Sequence, residues 1–237
     1  MNGDAQGREK DRITTKTLTD ARPRLAGEPA WVPNLGDRAR SAQSPVSTDE
    51  IYDRYLKKAI AEINVLGDEL ASHGDELHVP VLGSGHPLAD IFLLKWTPQP
   101  SEIQEGVAFF GRSGQALLKS LQRLHVDPLA VYGTNCLKFG TEDAEDARAW
   151  LIRELHIVQP KLLVAMGERS VEFLNVLRFP LSRALDAESG GIQAFTPTIE
   201  ALVTPDIDAS LDEQSAKTGF WNAFKTLGPW WAELPPY

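Results

Sequence analysis

The chain has 237 residues, of which 42% are hydrophobic, enough for one sizeable folded domain. Its single cysteine, Cys136, excludes an internal disulfide and cannot by itself hold a four-cysteine zinc site or an iron–sulfur cluster. The first 50 residues carry equal numbers of basic and acidic side chains, so the net charge of −9 lies on the remainder and weighs against tight binding to a phosphate backbone.

The N-terminal segment differs in composition from the rest of the chain. Residues 1–46 are polar, rich in Arg, Gly and Pro, and lack apolar periodicity, which predicts a disordered or loosely packed arm. No apolar stretch follows the first charges, and no apolar run approaches the roughly 20 residues that span a bilayer. Together with the single cysteine, these features predict a cytoplasmic protein without a membrane span.

Residues 47–228 show the pattern of a folded domain, followed by a Trp/Pro-rich tail over 229–237. Ser47 or Thr48 can cap a first helix, in which Ile51, Tyr55 and Ala59 recur at helical spacing. The long segment 97–110 is predicted as a loop, and helices are predicted over 113–124 and 214–227. Short apolar runs predict strands over 89–96, 130–139, 160–167 and 199–205.

Alternating strands and helices predict an α/β fold: a three-layer α/β/α sandwich with a short, mostly parallel four-stranded central sheet. Ligands of such sheets bind beyond the carboxyl ends of the strands. The loops 95–110, 134–140, 166–170 and 204–208 are therefore expected to form one rim.

Four sequence blocks follow each other in an order typical of one protein family. They are GSGHPLADIFLL, FFGRSGQALLKSL, VYGTNCLKF and PKLLVAMGERSVEFL. They are similar to the family patterns GEG-x-P-x-AD, GRPFVGRAG, TN-x-x-K-C and RPK-x-[IV]-[VI]-A-L-G. Over about residues 81–227 the chain resembles the uracil-DNA glycosylase superfamily, most closely its family 4, the iron–sulfur type.

The resemblance implies a set of substrate-binding residues. Phe109 matches the phenylalanine that stacks on the flipped uracil, and Asn135 matches the asparagine whose amide reads the uracil edge. Gly111 and Gly114 would let the backbone turn closely, and Ser113 could cap the helix while amide N–H groups face an anion. From the residues alone, Phe109 can equally be core, Asn135 a strand-end turn residue, and 111–114 an ordinary helix start.

The chain departs from the family at both catalytic motifs. The family's GE-[AG]-PG corresponds to KWTPQ, so Trp96 stands at the position of the carboxylate. An indole can neither act as a base nor carry negative charge. The family's HP[SA] corresponds to TPD, so Thr204 stands at the position of the histidine that stabilises the departing base, and Asp206 adds an unfavourable charge. No catalytic residue is assigned with these positions replaced.

The cluster ligands implied by the resemblance are also absent. Phe139 and Ala147 stand at two of the family's cysteine positions, and Leu66 or Leu70 lies where the helical cysteines would be. Cys136 lies at a position that the family does not use for ligation, and is expected to be a buried strand thiol. We therefore expect no iron–sulfur cluster, with a small apolar core in its place.

Other residues that could carry chemistry are weaker candidates. Glu102 and Glu105 in the predicted loop, and Asp206 and Asp208 after the fourth strand, can in principle replace a lost carboxylate, but solvated positions are the default expectation. The five histidines show no metal-ligand spacing, so no metal site is predicted. They are His73, His78, His86, His125 and His156.

Three functions remain open from the sequence. The first is a glycosylase-like protein without ordinary uracil excision that keeps a pocket for a nucleobase, a nucleotide or, weakly, single-stranded DNA. The second is an active, divergent DNA glycosylase of base excision repair. The third is a scaffold that binds a protein partner, for which Trp230 and Trp231 are candidate anchors unless they dock on their own domain.

Overall fold

The computed structural model describes residues 47–74, 79–140 and 144–235; the predicted arm 1–46 lies outside the described residues. The helices in these ranges are α1 Thr48–His73, α2 Pro100–Glu105, α3 Arg112–Arg123, α4 Ala144–Val158, α5 Glu168–Asn175, α6 Ile207–Ser210, α7 Gln214–Phe224 and α8 Leu227–Glu233. The strands are β1 Ser84–Gly85, β2 Ile91–Lys95, β3 Val131–Asn135, β4 Leu162–Met166, β5 Ile192–Ala194 and β6 Glu200–Thr204. Within the described ranges, no helix combines the length and apolar character that a bilayer crossing requires.

The six strands form one sheet in the order β1-β3-β2-β4-β6-β5. The central four run parallel, and β1 and β5 add antiparallel edges. The predicted α/β class with a mostly parallel sheet is confirmed, whereas the predicted count of four strands is wrong. The two extra strands span only two and three residues, too few to give a periodic pattern in the sequence.

Each predicted strand is present but shorter than predicted. All five residues of β2, β3 and β4 are buried, which explains their continuous apolar runs. The predicted ranges are longer because apolar residues continue past the last residues that pair in register. For example, Cys136 and Leu137 are buried after the end of β3.

Helices pack on both faces of this sheet. Leu117 of α3 and Phe224 of α7 belong to the apolar cluster on one face, and Leu151 of α4 and Leu174 of α5 to the cluster on the other. Strand β2 has β3 on one side and β4 on the other, so the winding of the chain reverses at β2. The carboxyl ends of strands at such a reversal border the usual ligand crevice of an open α/β sheet.

Helix α1 begins where the sequence predicts. Ser47 is its N-cap and forms a reciprocal capping box with Glu50. The helix packs on the domain only through its later turns, where Ala59, Leu66 and Leu70 are buried. Ile51 and Tyr55, although at helical spacing, are exposed.

The segment 97–110 is not the plain loop that was predicted. It contains helix α2, which Pro100 opens at its first position and which Gly106 ends in a left-handed conformation. Glu102, expected in solvent, is completely buried on this helix. The short length of α2 hid it from a periodicity argument.

The C-terminal region continues as helix beyond the predicted end of the domain. The predicted helix 214–227 is two helices, α7 and α8, and most of the predicted tail belongs to α8. Trp230 and Trp231 are half-buried against the core, and the Trp230 indole N–H donates to a Glu200 carboxylate oxygen at 2.5 Å. The two tryptophans therefore dock on their own domain.

Candidate functional site

The carboxyl ends of the four parallel strands place one row of side chains side by side. Asn135 pairs in register with Lys95, Lys95 with Met166, and Met166 with Thr204. Residues paired in this way project from the same face of a sheet, and all four are buried. The expected rim is therefore present, and its floor is a row of three polar side chains and one methionine.

The side-chain amide of Asn135 has no hydrogen-bond partner in the described part of the chain. Both its Nδ2 and its Oδ1 are fully buried. An amide offers two donor hydrogens and an acceptor oxygen, and leaving such groups buried and unpaired costs about 1–3 kcal/mol. Buried polar groups of native proteins nearly always have hydrogen-bond partners, so an unpaired one needs an explanation. A ligand that completes the hydrogen bonds of the Asn135 amide is one such explanation.

Phe109 packs on the same face of β3 as this amide. Its ring packs on Gly133, where an added Cβ would lie 2.5 Å from the ring Cδ2. Gly133 precedes Asn135 by two residues on β3, so both project to the same face. The structure therefore brings together the two predicted substrate-binding residues, an aromatic ring and a free amide.

The turn around Phe109 depends on close backbone contacts. A Cβ on Gly114 would lie 1.8 Å from the Phe109 carbonyl oxygen, so only glycine fits there. Helix α3 begins at Arg112 with Gly111 at the cap position and no side-chain cap. The prediction that Ser113 caps this helix is wrong, because Ser113 lies inside the first turn, where its side chain is buried.

A buried charged cluster borders the same site. The Lys95 ammonium donates to a Glu102 carboxylate oxygen at 2.6 Å and to an Asp208 oxygen at 2.7 Å, and lies 5.5 Å from the centroid of the Phe109 ring. Glu102 also accepts the backbone N–H of Gln99 at 2.6 Å and that of Phe109. We call Lys95, Glu102 and Asp208 the charged cluster.

The other candidate carboxylates have different surroundings. Asp206 is the N-cap of α6, and its Oδ1 accepts the backbone N–H groups of Asp208 at 2.7 Å and Ala209 at 3.2 Å. Glu105 is exposed on α2. Asp208 keeps 16% of its side chain exposed and is the member of the charged cluster that reaches the rim.

Neither position of the family's catalytic motifs carries an acid or base. Trp96 is half-buried, packs edge-on against Phe173, and has the Arg169 guanidinium 4.7 Å from its ring centroid. The buried Thr204 hydroxyl donates to the Pro205 carbonyl at 3.1 Å. These two side chains form packing and hydrogen-bond contacts and do not titrate near neutral pH.

A second buried ion pair lies on the opposite face of β3. The Lys138 ammonium donates to Glu154 at 2.5 Å, to the Thr134 hydroxyl at 2.5 Å and to the backbone carbonyl of Asn135 at 2.9 Å. The Tyr132 hydroxyl donates to the other Glu154 oxygen at 3.0 Å. Burial, and then the neighbouring Glu154 charge, raise the pKa of Tyr132 well above its usual range.

Comparison with known proteins identifies the family. A sequence model of the uracil DNA glycosylase superfamily matches residues 82–226, more than half of the chain. The chain belongs to this superfamily. The match covers the sheet, the orphan amide of Asn135 and the charged cluster.

Type-4 uracil-DNA glycosylases are among the relatives. The protein from Sulfurisphaera tokodaii is 27% identical over 103 residues, covering 40% of this chain and 47% of the relative. That from Pyrobaculum aerophilum is 30% identical over 105 residues, covering 41% and 54%. That from Archaeoglobus fulgidus is 28% identical over 102 residues, covering 40% and 51%. The chain thus spans about half the length of the curated relatives it matches, and the resemblance to family 4 is confirmed.

The region between α1 and α4 is apolar. Leu66, Leu70 and Trp150 form a small buried cluster against which Phe139 packs, and Ala147 is buried nearby in the core of that sheet face. Cys136 is buried at the end of β3. In the described ranges, no group of three or more His, Cys, Asp or Glu residues is arranged to hold a metal ion.

The described histidines have other neighbours. The His73 ring meets Trp150 edge-on with centroids 5.6 Å apart, and the His156 ring stacks on Phe179 at 4.8 Å. His86 lies 3.4 Å from the Tyr52 hydroxyl, and His125 is exposed. His78 lies outside the described residues.

Sequence reasoning missed the buried charges. Lys95, Lys138 and Glu154 were not recognised as site residues, although all three are buried beside the strand ends. A lysine that closes an apolar strand run, as Lys95 closes IFLLK, was the available signal. Such a lysine must either reach solvent or find a carboxylate partner inside the protein.

Proposed function

We propose that this chain keeps the nucleobase pocket of its superfamily, with the Asn135 amide reading the base edge and the Phe109 ring stacking on the base. The observation that carries this proposal is the buried Asn135 amide with both polar atoms unpaired. A base edge with an alternating donor and acceptor complements such an amide. The ligand would thereby remove an energetic cost that the ligand-free protein carries.

The surroundings of Phe109 support a stacking role. Its ring is only partly buried, and Gly133, two residues before Asn135 on β3, leaves room for it. A base held by an aromatic face and read by an amide is the general arrangement for extruded bases. The turn that positions this ring would depend on Gly111, Ser113 and Gly114.

Ordinary uracil excision is not part of the proposed function. Hydrolysis of the glycosidic bond needs a group that stabilises the sugar cation or activates water, and a group that stabilises the departing base. Trp96 and Thr204 supply neither, and Asp206 is engaged as a helix cap. Binding without this reaction fits the side chains present.

An active, divergent glycosylase is the second candidate, and one observation favours it. Asp208 is a partly exposed carboxylate at the rim, held by Lys95 at 2.7 Å. Its charge could stabilise a developing sugar cation in place of the missing carboxylate. Any excision activity should then disappear in Asp208→Asn.

The proposed ligands are a nucleobase, a nucleotide or a nucleotide in single-stranded DNA. The net charge of −9 supports weak rather than tight binding to DNA, because phosphates would meet a predominantly negative surface. Because few phosphate contacts would form, affinity for DNA should depend only weakly on salt.

We also propose that the chain functions without an iron–sulfur cluster. The donor set does not fit such a group, because the whole sequence has one cysteine. The apolar packing of Leu66, Leu70 and Phe139 supports the same view. Iron and sulfide content well below one per purified chain is the expected result, and stoichiometric amounts would contradict it.

The deciding experiment combines binding and excision. Isothermal titration with uracil and with deoxyuridine monophosphate should show binding to the wild-type protein. Asn135→Ala should weaken the affinity about tenfold or more, which is the scale of losing the neutral hydrogen bonds between the amide and the base. A single-stranded uracil oligonucleotide should remain uncut after alkaline treatment, which cleaves a matched abasic-site strand used as the positive control.

The matched control is Asn64→Ala, which makes the same change at an exposed position of α1. Its affinity should equal that of the wild-type protein. No binding by folded wild-type protein would contradict the pocket, and cleavage of the oligonucleotide would favour the second candidate.

A further inference from the structure

Phe109 has a backbone conformation that a bulky residue seldom adopts. Its φ of 58° lies in the left-handed region, where residues other than glycine are strained. The Phe109 carbonyl packs closely against Gly114, and the Phe109 ring packs closely against Gly133. Strained residues persist only where neighbouring groups determine their conformation, and such residues concentrate at functional sites.

One carboxylate directly holds this residue. A Glu102 side-chain oxygen accepts the backbone N–H of Phe109, and the other oxygen accepts the N–H of Gln99 and a proton of the Lys95 ammonium. Glu102 is completely buried, so its hydrogen bonds are protected from competition with water. Both oxygens are thereby fixed, and with them the position of Phe109.

Lys95 and Asp208 in turn hold Glu102. Lys95 bridges the two carboxylates at 2.6 and 2.7 Å, which links the end of β2 to α2 and to α6. The ammonium also lies 5.5 Å from the centroid of the Phe109 ring, within the range of a cation–π contact. The charged cluster therefore fixes both the backbone and the ring of Phe109, which packs on Gly133, two residues before Asn135 on β3.

We propose that Glu102 is a positioning residue of the pocket, which holds Phe109 in its strained conformation so that the ring can stack on a bound base. This role rests on the proposed function, because it concerns the same site. It adds a residue that touches no ligand and acts only through Phe109.

The competing explanation is that Glu102 serves only as a helix cap. It occupies the third position of α2 and closes a capping box with Gln99. A capping role alone would lower the stability of the fold without a specific effect on base stacking. The test must therefore separate loss of stacking from loss of stability.

The experiment is a double-mutant cycle on uracil affinity, with Glu102→Ala, Phe109→Ala and the double variant measured by isothermal titration. Glu102→Ala leaves Lys95 paired with Asp208, so the ammonium keeps a partner. If Glu102 acts through Phe109, Glu102→Ala weakens binding about tenfold or more in the wild-type background, which is the scale of one base–aromatic stack, and has no further effect in Phe109→Ala.

Two further variants serve as controls for the effect of Glu102→Ala. Glu102→Gln keeps a carbonyl oxygen for the N–H of Phe109 and should retain most of the affinity. Glu50→Ala removes the equivalent capping-box residue of α1, far from the pocket, and should leave uracil affinity unchanged. Thermal unfolding of each variant shows that the folded protein is being measured.

A ligand-free readout accompanies the cycle. The Phe109 amide proton, bonded to a carboxylate, should resonate downfield in a 15N-resolved NMR spectrum and move upfield in Glu102→Ala. No uracil binding by the wild-type protein would contradict the proposed function itself. Wild-type binding combined with equal losses from Glu102→Ala in both backgrounds, or with an unmoved Phe109 amide proton, would overturn only the positioning role.

Discussion

Asn135 and Lys95 occupy paired positions at the ends of neighbouring strands, yet their side chains have opposite surroundings. The Asn135 amide has no partner in the described chain, whereas the Lys95 ammonium has two carboxylates within 2.7 Å. The Asn135 amide keeps unpaired polar atoms in the described chain, and the Lys95 ammonium is paired within the protein. This contrast supports the proposed recognition role of Asn135 and a structural role of Lys95, and the first two predictions test these roles.

Replacing Asn135 with leucine should stabilise the ligand-free protein while it abolishes base binding. The side chains are similar in volume, and the change removes a buried polar group that lacks hydrogen bonds. The free energy of unfolding should rise by about 1 kcal/mol. Urea denaturation measures this change, and a clear destabilisation would mean that the amide has a partner in the folded protein.

Replacing Lys95 with methionine should strongly destabilise the fold. The variant leaves the buried Glu102 carboxylate and the partly exposed Asp208 carboxylate without their cation, and loss of the cation of a buried carboxylate typically costs about 3–5 kcal/mol. The control is Arg112→Met, since the Arg112–Asp212 pair is 70% and 73% exposed and should contribute at most about 1 kcal/mol. Similar losses in the two variants would contradict the importance given to the charged cluster.

The raised pKa of Tyr132 predicts a loss of stability in alkaline solution. Tyrosine in the unfolded chain ionises near pH 10, and burial beside Glu154 keeps the folded side chain protonated above that point. The contribution is thus fully present below about pH 10 and is lost as pH rises from there through the folded pKa. The difference in unfolding free energy between wild-type protein and Tyr132→Phe should therefore shift in favour of the variant as pH rises. A difference that is constant with pH would contradict the shift.

Removing residues 229–237 should lower the melting temperature. The truncation takes away most of α8, the packing of Trp230 and Trp231, and the hydrogen bond to Glu200. A loss of even 1 kcal/mol lowers the melting temperature by about 2–4 °C in a domain of this size. Trp230→Phe, which keeps an aromatic ring but loses the indole N–H, should show a smaller decrease. An unchanged melting temperature after truncation would favour a role of these residues in binding a partner.

The sequence predicted the layers of the fold better than its edges. Apolar runs such as LLVAM in β4 need no tertiary information, because a strand buried on both faces must be apolar throughout. The pairing of β1 and β5 depends on neighbouring strands and left no pattern of its own. Phe109 and Asn135 were found through the family resemblance, not through the local pattern.

The charged cluster could not be predicted in the same way. Lys95 and Asp208 are 113 residues apart in the chain and meet only when β2 and α6 come together. A glutamate in a polar segment such as 97–110 is solvated by default, and burial of Glu102 becomes favourable only once its partners are in place. Local sequence carries no information about that tertiary pairing.

Two consecutive polar residues of strand β3, Thr134 and Asn135, project to opposite faces of the sheet. Thr134 joins the Lys138–Glu154 pair on one side of the sheet, and Asn135 lies on the other side, the face on which Phe109 packs against Gly133. A slip of β3 by one residue would exchange them, so that a hydroxyl faced the ring and an amide entered the ion pair. Insertions or deletions in the 124–130 connection that shift this strand should thus abolish recognition and stability together, even though every side chain of the site is still encoded.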